Sequence, residues 1–124
     1  MTKSPQNISF GTSGYRGIIG ETFTKDHVFA ISLAIVDYLR THLKIKSPKV
    51  LLGYDTRSGN SPQLDQNSYT YVIAATLSFY KIRVDCCNIY TATPVVSWAV
   101  KTMDYDCGIL LTASHNPANY NGLK

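Results

Sequence analysis

Ser114 and His115 stand side by side in a polar run that continues Asn116-Pro117-Ala118-Asn119-Tyr120-Asn121-Gly122. A serine hydroxyl can attack an electrophile or carry a phosphoryl group, and an imidazole can move protons or bond to an anion. Neighbours on an extended chain point to opposite sides, so His115 is badly placed to deprotonate Ser114 directly. The GxSxG elbow of an α/β-hydrolase nucleophile is absent. Two readings remain open. Ser114 is a phosphoryl carrier on an exposed loop, with His115 bonding to substrate or phosphate, or the segment is a Ser/Asn-Pro turn held by side-chain-to-backbone bonds. The turn is the commoner use of such residues.

Two other segments carry suitable groups. Gly11-Thr12-Ser13-Gly14-Tyr15-Arg16-Gly17 lacks the glycine spacing of a dinucleotide fingerprint, no strand clearly precedes it, and the chain has no GxxxxGK[ST] loop. Glycines beside the Thr12 and Ser13 hydroxyls can still wrap N–H groups around an anion, and the Arg16 fork can grip phosphate. A flexible turn has the same composition. Asp55 and Arg57 form a pair that most often fixes a loop by a local salt bridge.

These groups need elements to position them. Thr24 suits an N-cap with Asp26 in the first turn, and Val28, Ile31, Ile35, Tyr38 and Leu39 recur at helical spacing, predicting a helix over about 25–42. Val50 to Tyr54 is a short apolar run, the pattern of a strand covered on both faces. Ser61-Pro62 reads as a cap and first helical position, opening a helix to about Tyr80 with Leu64, Tyr71, Ala75 and Phe79 inward. Ile82, Val84 and Cys86 alternate with Arg83, Asp85 and Cys87 as on a strand. Thr93-Pro94 repeats the cap-plus-proline signal for a helix through Trp98 to about Met103. Cys107 to Leu111 is another apolar strand, and Ser114 to Gly122 is rich enough in turn residues to be a loop. Helix and strand alternate three times, which predicts an α/β fold, three layers α/β/α around a mostly parallel (mixed) sheet. Open α/β sheets bind ligands beyond the carboxyl ends of their strands. The segments leaving those ends are Asp55 to Ser58, Thr91 to Thr93 and Thr112 to His115.

Composition narrows the classes. The 124 residues suit one domain, and 44% apolar with 16% charged residues reads as soluble and globular. The net charge of +4 is mild, and Lys3, Arg16, Lys44, Lys46, Lys49 and Arg57 are scattered, without the dense basic runs of a nucleic-acid footprint. Three cysteines, Cys86, Cys87 and Cys107, make a poor disulfide framework and show no zinc spacing. Met1 to Gln6 lacks a signal-peptide core, Val28 to Val36 is too short to span a bilayer, and the Asn7-Ile8-Ser9 sequon carries no weight without a secretory signal. A cytoplasmic protein is expected, with neither nucleic acid nor membrane as partner.

Thr112-Ala113-Ser114-His115-Asn116-Pro117, followed by Asn121-Gly122-Leu123-Lys124, resembles the active-serine segment of the α-D-phosphohexomutases (phosphomannomutase/phosphoglucomutase). Phe10 to Gly17 resembles the family's FGTSGxRG loop. Gly53-Tyr54-Asp55-Thr56-Arg57, with Ser61 following, resembles its GxDxR turn, and Thr93-Pro94 the opening of its third helix. The four segments fall in the family's order across essentially the whole chain.

That resemblance implies a phosphoserine at Ser114, which passes its phosphoryl group to a sugar monophosphate, interconverting hexose 6-phosphate and hexose 1-phosphate through a bisphosphorylated intermediate. It implies Mg²⁺ with Ser114 among the ligands, and Lys124 as general acid/base. His115 and Arg16, with Ser13 and Thr12, contact substrate and phosphate, and Asp55 and Arg57 support the loop. Residues 1–124 would be the N-terminal phosphoserine domain, clipped at its carboxyl edge. The remaining domains, with the DGDxDR metal loop, the sugar-recognition loop and the distal phosphate site, are then partners from the same chain. Phosphoglucosamine mutases usually show aspartate where Ser13 stands, a hint toward glucose or mannose phosphates. Alternatives are a phosphoglucosamine mutase or phosphopentomutase of the same family, and a non-catalytic phosphocarrier or binding domain, which would need neither Lys124 nor Arg16.

Overall fold

The computed structural model describes residues 8–11 and 13–124. Thr12 and the Asn7 sequon position lie outside the described residues. In chain order the elements are β1 (Tyr15–Ile18), α1 (Lys25–Asp37), β2 (Lys49–Tyr54), α2 (Tyr69–Phe79), β3 (Arg83–Cys86), α3 (Thr93–Thr102), β4 (Cys107–Leu111) and β5 (Tyr120–Leu123). They form one mixed sheet in the order β1-β5-β4-β2-β3. The parallel pairs are β2 with β3 and with β4, while β5 runs antiparallel between β4 and β1.

Side chains alternate along the central strands, which sorts them between two helical layers. Val50, Leu52, Tyr54, Ile109 and Leu111 pack with Val28, Ile31, Ile73 and Leu77 of α1 and α2. Leu51 and Leu110 point the other way and pack with Val96 and Ala99 of α3. The chain steps from β2 outward to β3, then back past β2 to β4. Parallel crossovers keep one hand, so reversing the step places α2 and α3 on opposite faces. No helix among the described residues is long and apolar enough to cross a membrane.

α1 begins where expected. Thr24 and His27 form a reciprocal capping box, and Asp26 sits in the first turn. The helix ends in a π-helical turn over Tyr38–His42. That turn leaves Tyr38 53% exposed, against its expected inward position, while Leu39 is buried.

α2 departs further from expectation. Its N-cap is Ser68, whose hydroxyl accepts the Tyr71 N–H at 3.1 Å, so Ser61-Pro62 starts a set of turns instead. Leu64 has φ +52°, which no right-handed helix allows. Ser61 N–H bonds to the Thr70 hydroxyl at 2.9 Å and Tyr69 N–H to the Gly59 carbonyl at 2.8 Å, holding the turns against the helix start. The inward face shifts with the start. Tyr69, Ile73, Ala74 and Leu77 are buried, whereas Phe79 is exposed and Tyr71 largely so. α3 opens one residue earlier than Thr93 implies, with Ala92 as N-cap and Thr93 inside the helix.

Two strands lie where turns were expected. Tyr15–Ile18, inside the glycine-rich segment, and Tyr120–Leu123, at the end of the polar run, are β1 and β5, paired from Tyr15 with Leu123 to Ile18 with Tyr120. The serine loop is therefore confined to residues 112–119, between strands on both sides.

Candidate functional site

Two loops leave the carboxyl ends of the adjacent strands β2 and β4 and are bonded together from their first residues. Asp55 N–H donates to the Leu111 carbonyl at 3.0 Å. The Thr112 hydroxyl donates to the Asp55 carboxylate and accepts the Ser114 N–H at 3.0 Å. Asn60 Nδ2 donates to Asp55 Oδ1 at 3.2 Å and to the Leu111 carbonyl at 3.3 Å. Fully buried Asn121 donates through Nδ2 to Asn60 Oδ1 at 3.0 Å and to the Ser58 carbonyl at 3.1 Å. A buried amide left without these partners costs about 1–3 kcal/mol, so this network specifies how the loops meet.

Arg57 closes the network. Nη2 donates to the Ser114 carbonyl at 2.9 Å and the Asn116 carbonyl at 2.7 Å. Nη1 donates to the carbonyls of Pro117 at 2.8 Å and Tyr120 at 3.0 Å. Its Nε lies 3.7 Å from Asp55 Oδ2, the local pairing expected of these two residues.

Ser114 sits at the turn of the loop with φ +52°, a left-handed conformation that costs a non-glycine residue about 1–3 kcal/mol and persists where its surroundings impose it. Lys124 reaches it from β5: Asn121 and Gly122 both lie in that strand, and the loop before it reverses the chain. β5 then runs back beside β4, with Lys124 N–H bonded to the Leu110 carbonyl at 2.8 Å. From there Lys124 Nζ donates to Ser114 Oγ at 3.2 Å.

Arg16, on β1 opposite Gly122, donates from Nη1 to Asn116 Oδ1 at 2.8 Å. Its Nε is buried and has no partner among the described residues. Ser13 is exposed in the turn between Gly11 and Gly14. Gly14, at φ +82°, lies so close to β5 that a Cβ there would stand 2.2 Å from the Leu123 carbonyl oxygen. That contact brings the Ser13 turn beside Lys124. His115 is exposed on the loop. Asp55, Thr56, Ser58 and Ser114 help line an open hollow of about 690 Å³. Thr93 and Lys124 share a second one of about 330 Å³ on the α3 side.

Ser114, Lys124, Arg16, Asp55 and Arg57 thus meet around the serine loop at one end of the sheet. Asn60, Thr112, Asn116 and Asn121 were not singled out as working residues. Their amides and hydroxyl look locally like ordinary turn chemistry, and each acts on a partner far along the chain.

Residues 7–124 match the sequence model of the family described as phosphoglucomutase/phosphomannomutase, alpha/beta/alpha domain I. A phosphoglucomutase of Staphylococcus epidermidis is 38% identical over 120 residues, covering 94% of this chain and 20% of that protein. A phosphoglucosamine mutase of Lachnospira eligens is 35% identical over 115 residues, covering 93% and 24%. Among solved structures, a protein assigned as a phosphomannomutase from Thermus thermophilus superposes with a TM-score of 0.80 at 31% identity, covering all of this chain and 26% of that one. The chain spans about a fifth to a quarter of the length of these relatives. A match over nearly every residue, on a fold that brings the serine loop, Arg16 and Lys124 together, makes this chain a member of the phosphoglucomutase/phosphomannomutase family.

Proposed function

We propose that the protein to which this chain belongs is a phosphohexomutase, an isomerase that interconverts hexose 6-phosphate and hexose 1-phosphate through a phosphoserine at Ser114. The observation that carries this reading is the 3.2 Å bond from Lys124 Nζ to Ser114 Oγ, on a loop whose backbone is bonded at nearly every turn. In the forward step a sugar hydroxyl attacks the phosphorus, a new sugar O–P bond forms and the Oγ–P bond breaks. The sugar hydroxyl gives up a proton as it attacks, and the departing Oγ takes one up. Lys124 is within reach of Oγ to exchange that proton, which a lysine can do and an arginine, held charged, cannot. The bisphosphorylated sugar then turns over and returns its other phosphoryl group to Oγ.

Arg16 has a buried Nε donor still unpaired among the described residues and is proposed to take a phosphate oxygen. His115, Ser13 and Thr12 are proposed to contact substrate around it. Mg²⁺ favours phosphate oxygens with one or two carboxylates, and a phosphorylated Ser114 offers the first kind of donor. Among the described residues no three His, Cys, Asp or Glu side chains gather into a metal set, and Ser114 is the ligand proposed from this chain. When bound, the ion offsets negative charge on the phosphoryl oxygens during transfer. Residues 1–124 are read as the N-terminal phosphoserine domain, in a cytoplasmic enzyme whose other domains supply the remaining ligands and substrate contacts.

The relatives include phosphoglucosamine mutases as well as phosphoglucomutases, so a hexosamine phosphate stands as the second substrate reading. The test uses the full-length protein with glucose, mannose and glucosamine phosphates, and intact-mass measurement of the phosphorylated state. One of these sugars is expected to turn over, with labelled phosphate on Ser114. Transfer of label onto a Ser114→Ala protein would sink the assignment.

A further inference from the structure

Arg57 commits both Nη atoms to the main chain of the serine loop and the first residue of β5. Four carbonyl oxygens, those of Ser114, Asn116, Pro117 and Tyr120, converge on its fork at 2.7–3.0 Å. The side chain is only 13% exposed, and its own N–H is anchored on Asp55 Oδ1 at 3.0 Å. Arg57 borders the open hollow beside Ser114, yet its Nη donors are occupied by main-chain carbonyls before any substrate arrives.

We propose that Arg57 is a positioning residue for phosphoryl transfer at Ser114, holding the serine backbone in its left-handed conformation and so keeping Oγ against Lys124. The inference rests on the phosphoserine reading above. Three physical points support it. Ser114 at φ +52° requires imposed bonds, and its two peptide neighbours are held from opposite sides, its N–H by Thr112 and its carbonyl by Arg57. Four clustered carbonyls are partial negative charges that would repel a phosphate, and the guanidinium takes up lone pairs on all of them. In a planar trans peptide the N–H points opposite to the carbonyl. With the Ser114 and Pro117 carbonyls turned to Arg57, the His115 and Ala118 N–H groups are turned away from it. The side of the loop opposite Arg57 therefore presents donors.

Lysine keeps the charge and loses the planar fork, so Arg57→Lys separates geometry from electrostatics. In the full-length enzyme we expect Arg57→Lys to lower kcat about 100-fold, the order reached when a reacting group is displaced by about 1 Å, while KM stays within about threefold. Amide hydrogen exchange over residues 112–120 should accelerate, with β2 and β4 still protected. Added guanidinium ion should restore about tenfold of the turnover lost in Arg57→Ala, because it can reoccupy the fork's position. Near-normal kcat in a folded Arg57→Lys enzyme overturns the proposal. So does a raised KM at unchanged kcat, which would make Arg57 a substrate-binding charge. If Arg57→Lys does not fold, Arg57→Gln replaces it, and failure of both to fold makes Arg57 a fold determinant and overturns the positioning role. A parent enzyme with no mutase activity on any sugar tested defeats the phosphoserine reading itself, whereas an active parent with an indifferent Arg57 defeats this inference alone.

Discussion

Lys124 illustrates how one bond decides a residue's role. Its ammonium donates to the oxygen that the proposed chemistry must make and break, 3.2 Å away. A lysine there can give up its proton to a leaving oxygen, whereas an arginine in the same place keeps its charge and its protons. Lys124→Arg in the full-length enzyme is therefore expected to cost roughly two to four orders of magnitude in kcat, the span of general acid–base groups, and far less in KM. Steady-state kinetics with the preferred sugar phosphate measures both. Near-normal turnover would make Lys124 a phosphate-binding charge, and His115 would be the next residue to test as the base.

At the scale of elements, the serine loop depends on how closely β5 fits between its neighbours. A Cβ added at Gly122 would stand 2.5 Å from the Thr112 carbonyl oxygen and 2.8 Å from that of Tyr15, both backbone atoms that cannot swing aside. Gly122→Ala should therefore lower unfolding stability by about 1–3 kcal/mol in urea titration, the usual cost of overpacking. An unchanged midpoint would show that the strands part cheaply. β3 is tied differently. Asp85 accepts from Arg83 at 3.1 Å and from the Tyr105 hydroxyl at 2.7 Å, and these bonds, the Arg83 pair foremost, hold its carboxyl below the usual range. A depressed carboxylate contributes stability that is present above its unfolded pKa near 3.9 and lost as pH falls through the lower folded value. The stability gap between the parent and Asp85→Asn should accordingly narrow as pH drops below about 4. A gap that stays constant from pH 7 to 3 would rule out this contribution.

Across the whole molecule, the candidate groups gather at one end of the sheet, around a hollow of about 690 Å³ that is open to solvent. Phosphoryl transfer to a sugar rather than to water requires that end to be covered during reaction. The chain spans about a fifth of the length of its phosphoglucomutase relatives, and under the proposed function the covering surfaces would come from outside residues 1–124. The 124-residue chain by itself is expected to show no mutase turnover with any hexose phosphate, measured against its own Ser114→Ala variant as background. Turnover above that background would mean that one domain suffices, and the multi-domain picture would be wrong.

What the sequence determined by itself was whatever short-range physics decides. Thr24 caps α1 through a residue three positions away, and apolar runs of five residues marked β2 and β4, since burial on both faces leaves its trace in the strand's own composition. The serine segment was located for the same reason, as a polar run following a buried strand. Local signals also misled. Ser61-Pro62 has the chemistry of a helix start, yet Leu64 turns left-handed and Ser68 takes over the cap. β1 and β5 are four residues each, contain glycine, and become strands through partners elsewhere: β1 pairs with β5 about a hundred positions away, and β5 also lies against β4. Arg57 and Asn60 likewise meet acceptors more than 50 residues away, so nothing near them in the chain reveals what they hold. Only the tertiary structure decided these, because a hydrogen bond is set by distance in space, and distance along the chain carries no record of it.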